Sequence, residues 1–175
     1  DFHHAVHAYL TGERNGYYAD FGGIEQIAAA LEHGWCYAWD YSVARGRHHG
    51  NDPAGLPTRA FVFCTQNHDQ VGNRMAGERL RTLAGPESDR LALALLLLSP
   101  YVPLIFMGQE YGERRPFLYF VDHTDQDLLA ATREGRAREF AAFHGGDAPP
   151  DPGAEETLVR SRLDPDAEGP SQERE

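Results

Sequence analysis

Two apolar runs rich in β-branched and aromatic residues, Arg59–Thr65 and Val102–Met107, are each followed at once by a polar stretch carrying a carboxylate. Short runs of this kind read as buried strands. After the first come helical patterns over Arg74–Leu83 and Asp89–Ser99, the latter opened by Pro86. A long amphipathic helix over Gln126–Phe143 follows the second. Strand, polar loop and helix, repeated, is the pattern of βα units on a parallel sheet. In such α/β folds ligand chemistry sits just past the carboxyl ends of the strands. That rule singles out Gln66-Asn67-His68-Asp69-Gln70 and Gly108-Gln109-Glu110.

The residues before the first run add two helices. Asp1–Leu10 has Asp1 as a candidate N-cap. Gly23–Leu31 places Ile24, Ile27, Ala28 and Leu31 on one face, with Gly34 as its stop. Arg45–Pro57 reads as a polar loop. Trp35, Trp39 and Tyr41 offer flat faces on which a sugar could stack, although such aromatics more often pack a core. Cys64, in the first strand, and Cys36 read as inert buried thiols. Residues 144–175 hold nine acidic and three basic residues and five of the eleven prolines. They read as a polar linker or unfolded end, except for Glu156–Leu163, a short strand or turn of helix.

Composition narrows the function. The net charge is −11, which argues against nucleic-acid or anionic-membrane partners, since both need a basic face. The longest apolar run, Leu91–Leu98, has eight residues, against the ~20 of a membrane span. Two cysteines make no disulfide framework, so a reducing, cytoplasmic location is the expectation. His3 and His7 have the i, i+4 spacing that can hold a metal on one helix face. No third ligand is signposted, so substrate contact or helix packing is favoured, and neither metal nor cofactor is expected.

Thr65–Gln70 is six consecutive hydrogen-bonding side chains, which face a cleft or solvent rather than a core. Asn67, His68 and Asp69 can together fix sugar hydroxyls and supply one negative charge, as an oxocarbenium-like transition state requires. The plainer reading is a capped loop, with Asn67 or Asp69 capping the next helix and Gly72 supplying a turn. Gln109 and Glu110 either line the cleft or cap a helix. Arg74 reads as the partner of Asp69 or another nearby carboxylate.

Asn67-His68-Asp69 after a strand resembles the fourth signature region of the alpha-amylase clan, glycoside hydrolase family 13. The longer run Gln66–Arg74 (QNHDQVGNR) is similar to the maltooligosyltrehalose trehalohydrolases. So, in the same order, are Asp1–His7, Thr11–Glu13 with Tyr17–Phe21, Pro103–Gly112, Pro116–His123 and Gly135–Phe140; the stretch Arg160–Leu163 also fits. The resemblance covers residues 1–164. It implies an α/β fold, the C-terminal part of a (β/α)8 barrel that is incomplete in this chain. Residues 1–143 would belong to the barrel and 144–175 would lead toward a C-terminal β domain that the chain lacks.

The implied activity is hydrolysis of the α-1,4 bond next to the trehalose end of maltooligosyltrehalose, releasing trehalose. On this resemblance Asp69 matches the transition-state-stabilising aspartate. His68 matches a histidine that binds sugar hydroxyls. The run His68, Asp69, Gln70, Val71, Gly72 and Asn73 matches one substrate-contacting segment, and Asp1, Phe2, His3 and His4 match another. Gln66, Asn67, Gln109 and Glu110 are possible cleft residues. The family's nucleophile and general acid lie on strands before the segment matching Asp1, and neither has a match here. The chain is therefore read as a piece of a longer enzyme. The alternatives are a branching-enzyme or amylase-type relative, or a non-catalytic glucan-binding remnant.

Overall fold

The computed structural model describes residues 1–144 and 148–164. In chain order the elements are α1 (Phe2–Thr11), α2 (Ile24–His33), β1 (Ala38–Ser42), β2 (Arg47–Gly50), β3 (Val62–Phe63), α3 (His68–Gly72), α4 (Leu80–Ala84), α5 (Pro86–Leu98), β4 (Val102–Pro103), α6 (Gln126–His144) and α7 (Glu155–Arg160). Short 3-10 turns lie at Gly16–Asp20, Thr58–Ala60 and Gln109–Tyr111. The chain divides into two compact units. One holds residues 1–66 and 83–106; the other holds residues 67–82 and the described residues from Met107 onward.

In the first unit both early helices end as their glycines dictate. Gly12 and Gly34 take the left-handed conformation at φ 77° and 84° and donate to the carbonyls of Ala8 and Ala30. Only glycine fits at Gly34, where a Cβ would lie 2.9 Å from the Phe61 ring. The side chain of Gln26 reaches back to the N–H groups of Gly22 (2.8 Å) and Gly23 (2.9 Å), closing the start of α2. Pro86 stands in the first turn of α5, with Glu87 and Asp89 beside it at the positive end of the helix dipole.

β3 and β4 pair in parallel, Val62 with Val102 and Phe63 with Pro103. Phe2 stacks on Phe63 at 4.6 Å between ring centroids, and Phe63 meets Tyr101 at 4.2 Å. Burying each such ring contributes about 1.5–3 kcal/mol. The Tyr101 hydroxyl donates to the Leu31 carbonyl at 3.0 Å, which anchors the end of α2 to this cluster.

The parallel pair and its helices make a mixed α/β arrangement, and the described residues form no closed barrel. Both apolar runs yield strands of two residues rather than six or seven. Apolar composition marks a tendency to be covered, whereas strand length depends on what pairs alongside. Val62 is 61% exposed and Val102 43%. On α5 Ala92 and Leu96 are fully buried while Leu91, Leu97 and Leu98 face outward.

The stretch expected as a polar loop contains the second strand of an antiparallel hairpin, β1–β2. Trp35, Trp39 and Tyr41 are not core residues: they are 38%, 66% and 59% exposed. One carboxylate fixes this hairpin. Asp20 accepts from the hydroxyls of Tyr37 and Ser42 and from the N–H groups of Val43 (2.6 Å) and Ala44 (3.1 Å). Burial alone would raise its pKa, but these hydrogen bonds outweigh burial and hold it below the usual carboxylate range.

In the second unit the helix expected over Arg74–Leu83 is absent as such. Only α4, Leu80–Ala84, falls in that span; α3 ends before it at Gly72, and Gly77 at φ 61° turns the chain between them. A Cβ at Gly77 would lie 2.6 Å from the Phe117 carbonyl oxygen. Next to it Arg79 is buried, with Nε donating to the Arg115 carbonyl (2.7 Å) and Nη1 to the Met107 carbonyl (2.8 Å). α6 runs as expected. The exception noted in the tail is helical as α7: Ser161 is buried, accepting from the Leu118 N–H at 2.9 Å and donating to the Thr157 carbonyl at 2.8 Å. Within the rest of the tail, residues 148–154 are described and held to the second unit: Arg133 Nε donates to Asp151 Oδ1 at 2.7 Å and the Val121 N–H to the Pro152 carbonyl at 2.8 Å. Residues 145–147 and 165–175 lie outside the described residues.

Candidate functional site

The candidate residues fall in both units. In the second, α3 is one short helix started by its own motif. Asn67 is extended and its Oδ1 accepts from the Gln70 N–H at 2.9 Å. That makes Asn67 the cap and leaves Asp69 in the first turn, near the positive end of the helix. His68 and Asp69 project outward, with side chains 72% and 78% exposed and Nε2 to Oδ1 at 3.4 Å. Gln70, Val71 and Gly72 turn inward and are buried. The segment thus presents two functional groups on a helix whose other face is held by packing.

The far end of α3 is held by a residue the sequence reading passed over. Arg136 on α6 donates from Nη1 to Asn73 Oδ1 at 2.7 Å and from Nη2 to the Gly72 carbonyl at 3.1 Å. Its guanidinium lies over the rings of Tyr119 (4.5 Å) and Phe140 (4.6 Å). The motif GRAREF contained it, but an arginine on an amphipathic helix reads as solvent-facing by pattern alone. Arg74 pairs with Glu78, Nε to Oε2 at 3.4 Å.

The Gly108–Glu110 segment depends on a second residue passed over, Glu113. Its buried carboxylate accepts from the N–H groups of Arg114 and Arg115 (2.8 Å each) and Asp164 (2.7 Å) and from the Tyr111 hydroxyl (3.2 Å). Burial would push its pKa up; the backbone donors prevail and hold it down. Gly108, at φ 85°, leaves no room for a Cβ, which would meet Glu113 Cβ at 2.6 Å. Gln109 is buried and Glu110 exposed. Glu113 is therefore a structural anchor, and Glu110 is the carboxylate this turn offers outward.

In the first unit, Asp1 stands at the N-cap position of α1 without capping it by its side chain. Its Oδ2 instead accepts from the N–H groups of Cys36 (3.0 Å) and Tyr37 (3.2 Å). Phe2 is buried and His3 and His4 are half-buried, their rings 4.0 Å apart. His4 also meets Tyr17, Tyr18 and Phe21 within 5.6 Å. Burial, reinforced by neighbouring positive charge, pushes His3 down to about 2 and His4 down to about 3. Both are neutral imidazoles at ordinary pH, suited to hydrogen bonding with uncharged hydroxyls rather than to proton transfer. Gln66, at the end of this unit's run, is buried.

His7 does not stand ready as a metal ligand beside His3. It is buried, its Nε2 lies 3.0 Å from Glu13 Oε2, and its ring stacks on Tyr18 at 4.5 Å. Among the described residues no group of three or more His, Cys, Asp or Glu is placed to hold a metal. The Cys36 thiol donates to the Gln26 carbonyl, and burial pushes its pKa up to about 11. No described helix is long and apolar enough to cross a membrane.

No family model matches the chain. Curated proteins do. The chain is 53% identical over 139 residues to the malto-oligosyltrehalose trehalohydrolase of Saccharolobus solfataricus, covering 79% of this chain and 25% of that protein. It is 46% identical over 167 residues to the protein of the same name from Arthrobacter ramosus, covering 94% and 29%. The structure matches a 1.4 Å crystal structure of a Salmonella typhimurium protein provisionally described as an alpha amylase. That match has a TM-score of 0.86 and 52% identity, over 93% of this chain and 28% of the other. The chain thus spans between a quarter and three tenths of the length of these relatives.

Proposed function

We propose, from the homology of this chain to one segment of the malto-oligosyltrehalose trehalohydrolases, that it contributes part of the active site of such an enzyme. The reaction adds water across the α-1,4 bond next to the trehalose end of maltooligosyltrehalose, giving trehalose and a shortened maltooligosaccharide. In a retaining glycosidase one carboxylate attacks the anomeric carbon while a second protonates the departing oxygen, and water then releases the glycosyl group. A further carboxylate beside the ring opposes the positive charge that develops as the bond breaks. Asp69 has that last role in this reading. His68 holds hydroxyls of the same sugar; in the first unit, taken by itself, the neutral imidazoles of His3 and His4 are suited to hydrogen bonds with substrate hydroxyls. The nucleophile and general acid would come from outside residues 1–175.

The observation that carries the reading is the state of Asp69 within the run QNHDQVGNR. Its carboxylate is exposed, and of the two caps the plainer alternative allowed, Asn67 is the one that caps α3, which leaves Asp69 without a capping role. The experiment is product analysis with a protein carrying this chain together with the rest of the barrel. Maltotriosyltrehalose should yield trehalose and maltotriose, with no new α-1,6 linkages formed on amylose. Branch formation without trehalose release would replace the reading with that of a branching enzyme.

A further inference from the structure

Among the described residues, eleven of the twelve positions with positive φ are glycines; the exception is Trp39, at φ 75°. For a bulky residue this conformation costs about 1–2 kcal/mol. It falls at a β-bulge: Ala38 pairs with Gly50 and Asp40 with His49, so Trp39 is the extra residue on β1. Bulges of this type ordinarily place glycine there, and they re-aim the side chain out of the strand's alternation. Here the re-aimed side chain is an indole that is 66% exposed. One face lies along His48, with centroids 5.7 Å apart and planes within 14°. The His48 Nδ1 bonds the Trp39 carbonyl at 2.8 Å, which locks the pair. Tyr41, opposite His48 in the ladder and 59% exposed, meets the same imidazole edge-on at 5.6 Å. Strain and two contacts thus hold a tryptophan and a tyrosine outward on one hairpin face.

Asp40 and Arg47 are exposed on the two strands, and Asp40 Oδ2 accepts from the Ala38 N–H at 2.9 Å. β1 also lines a cleft of about 930 Å³ through Asp40 and Tyr41, together with Trp35, Glu32 and Asp52, while Trp39 and His48 lie outside its lining. A volume of hundreds of cubic ångströms suits a small molecule. The net charge of −11 disfavours a nucleic acid. Flat, exposed aromatic faces match pyranose rings, which are apolar on their faces and hydroxylated at their rims.

We propose that Trp39 and Tyr41, braced by His48, form a carbohydrate-binding platform for an α-glucan chain on the β1–β2 hairpin. The choice of an α-glucan rests on the reading under Proposed function; the platform rests on the hairpin itself. The site binds without chemistry, so it survives in this chain whether or not catalysis does.

Isothermal titration of maltoheptaose into the 175-residue chain tests this, with Trp39→Gly and Tyr41→Ala as variants. Glycine accepts the bulge conformation without strain, so Trp39→Gly should keep or raise the melting temperature while weakening maltoheptaose about tenfold or more. Tyr41→Ala should weaken it less. In a Trp35→Phe background the remaining tryptophan emission should respond to the sugar. Unchanged affinity in both variants, or no binding by the parent chain, overturns the platform and leaves the role of Asp69 standing, since that is tested by turnover. Sugar-independent self-association abolished by Trp39→Gly would overturn it in favour of a protein contact.

Discussion

Arg136 closes the end of α3 by holding both the side chain of Asn73 and the carbonyl of Gly72, at 2.7 and 3.1 Å. One guanidinium fork thereby fixes the backbone of the helix whose first turn carries His68 and Asp69. Lysine cannot reproduce this, because a single ammonium lacks the planar pair of donors. Arg136→Ala should cost about 2 kcal/mol of stability, as expected for a largely buried, charge-assisted pair of hydrogen bonds. Arg136→Lys should recover less than half of that. Urea unfolding of the parent and the two variants measures it; equal stability of all three would show that α3 is held by other means.

Gly77 predicts a contrast. Gly77→Ala imposes both a positive φ on alanine and a Cβ 2.6 Å from the Phe117 carbonyl oxygen. Gly12→Ala imposes the φ alone, with nothing within 4 Å. Gly12→Ala should therefore cost about 1 kcal/mol and Gly77→Ala about 3 or more. Thermal melts of the two variants decide it, and similar losses would mean that the turn before Arg79 yields.

Helix ends carry local signals, and Gly34 and Pro86 mark the end of α2 and the start of α5 as read; Gly77, inside the helix expected over Arg74–Leu83, was passed over. The polar run Thr65–Gln70 was legible only in part: His68 and Asp69 face outward as six hydrogen-bonding side chains in a row suggest, but Thr65, Gln66 and Gln70 are buried. Strand lengths were not, because pairing at Val62 and Val102 depends on neighbours no local pattern encodes. The hairpin was hidden by its bulge: Trp39 breaks the period-two alternation that would have marked β1, and polar composition disguised β2. Arg136 and Glu113 were invisible for a different reason. Their roles depend on partners distant in sequence, Asn73 for the one and Asp164 for the other.

His3 and His4 predict a pH dependence. Their folded values, about 2 and about 3, lie below the ordinary 6.5. The unfolded chain therefore takes up protons as pH falls through about 6.5, while the folded chain does so only near 3. Their contribution is whole above about pH 6.5 and is lost as pH drops from there toward 3. Urea midpoints should fall between pH 7.5 and pH 5, and more shallowly in His3→Gln/His4→Gln. An equal slope in parent and double variant would show that these imidazoles protonate freely in the fold.

Asp69 alone cannot cleave an acetal, because attack and protonation need two further carboxyl groups. The purified 175-residue chain should release no trehalose from maltotriosyltrehalose above a buffer control. Measurable release would mean that a nucleophile and an acid lie within residues 1–175.

The central claim is that Asp69 acts on charge that exists only in the transition state. The measurement is steady-state kinetics of Asp69→Asn, in a protein carrying this chain and the rest of the barrel, with maltotriosyltrehalose as substrate. Asparagine is nearly isosteric and Asn67 still caps α3, so folding is retained. The account predicts that kcat falls about 10²-fold or more while KM changes little, since ground-state contacts remain. His68→Ala, by contrast, should raise KM as well. Retention by Asp69→Asn of more than about a tenth of the parent kcat, far short of the loss expected for a preorganised charge, would contradict the account.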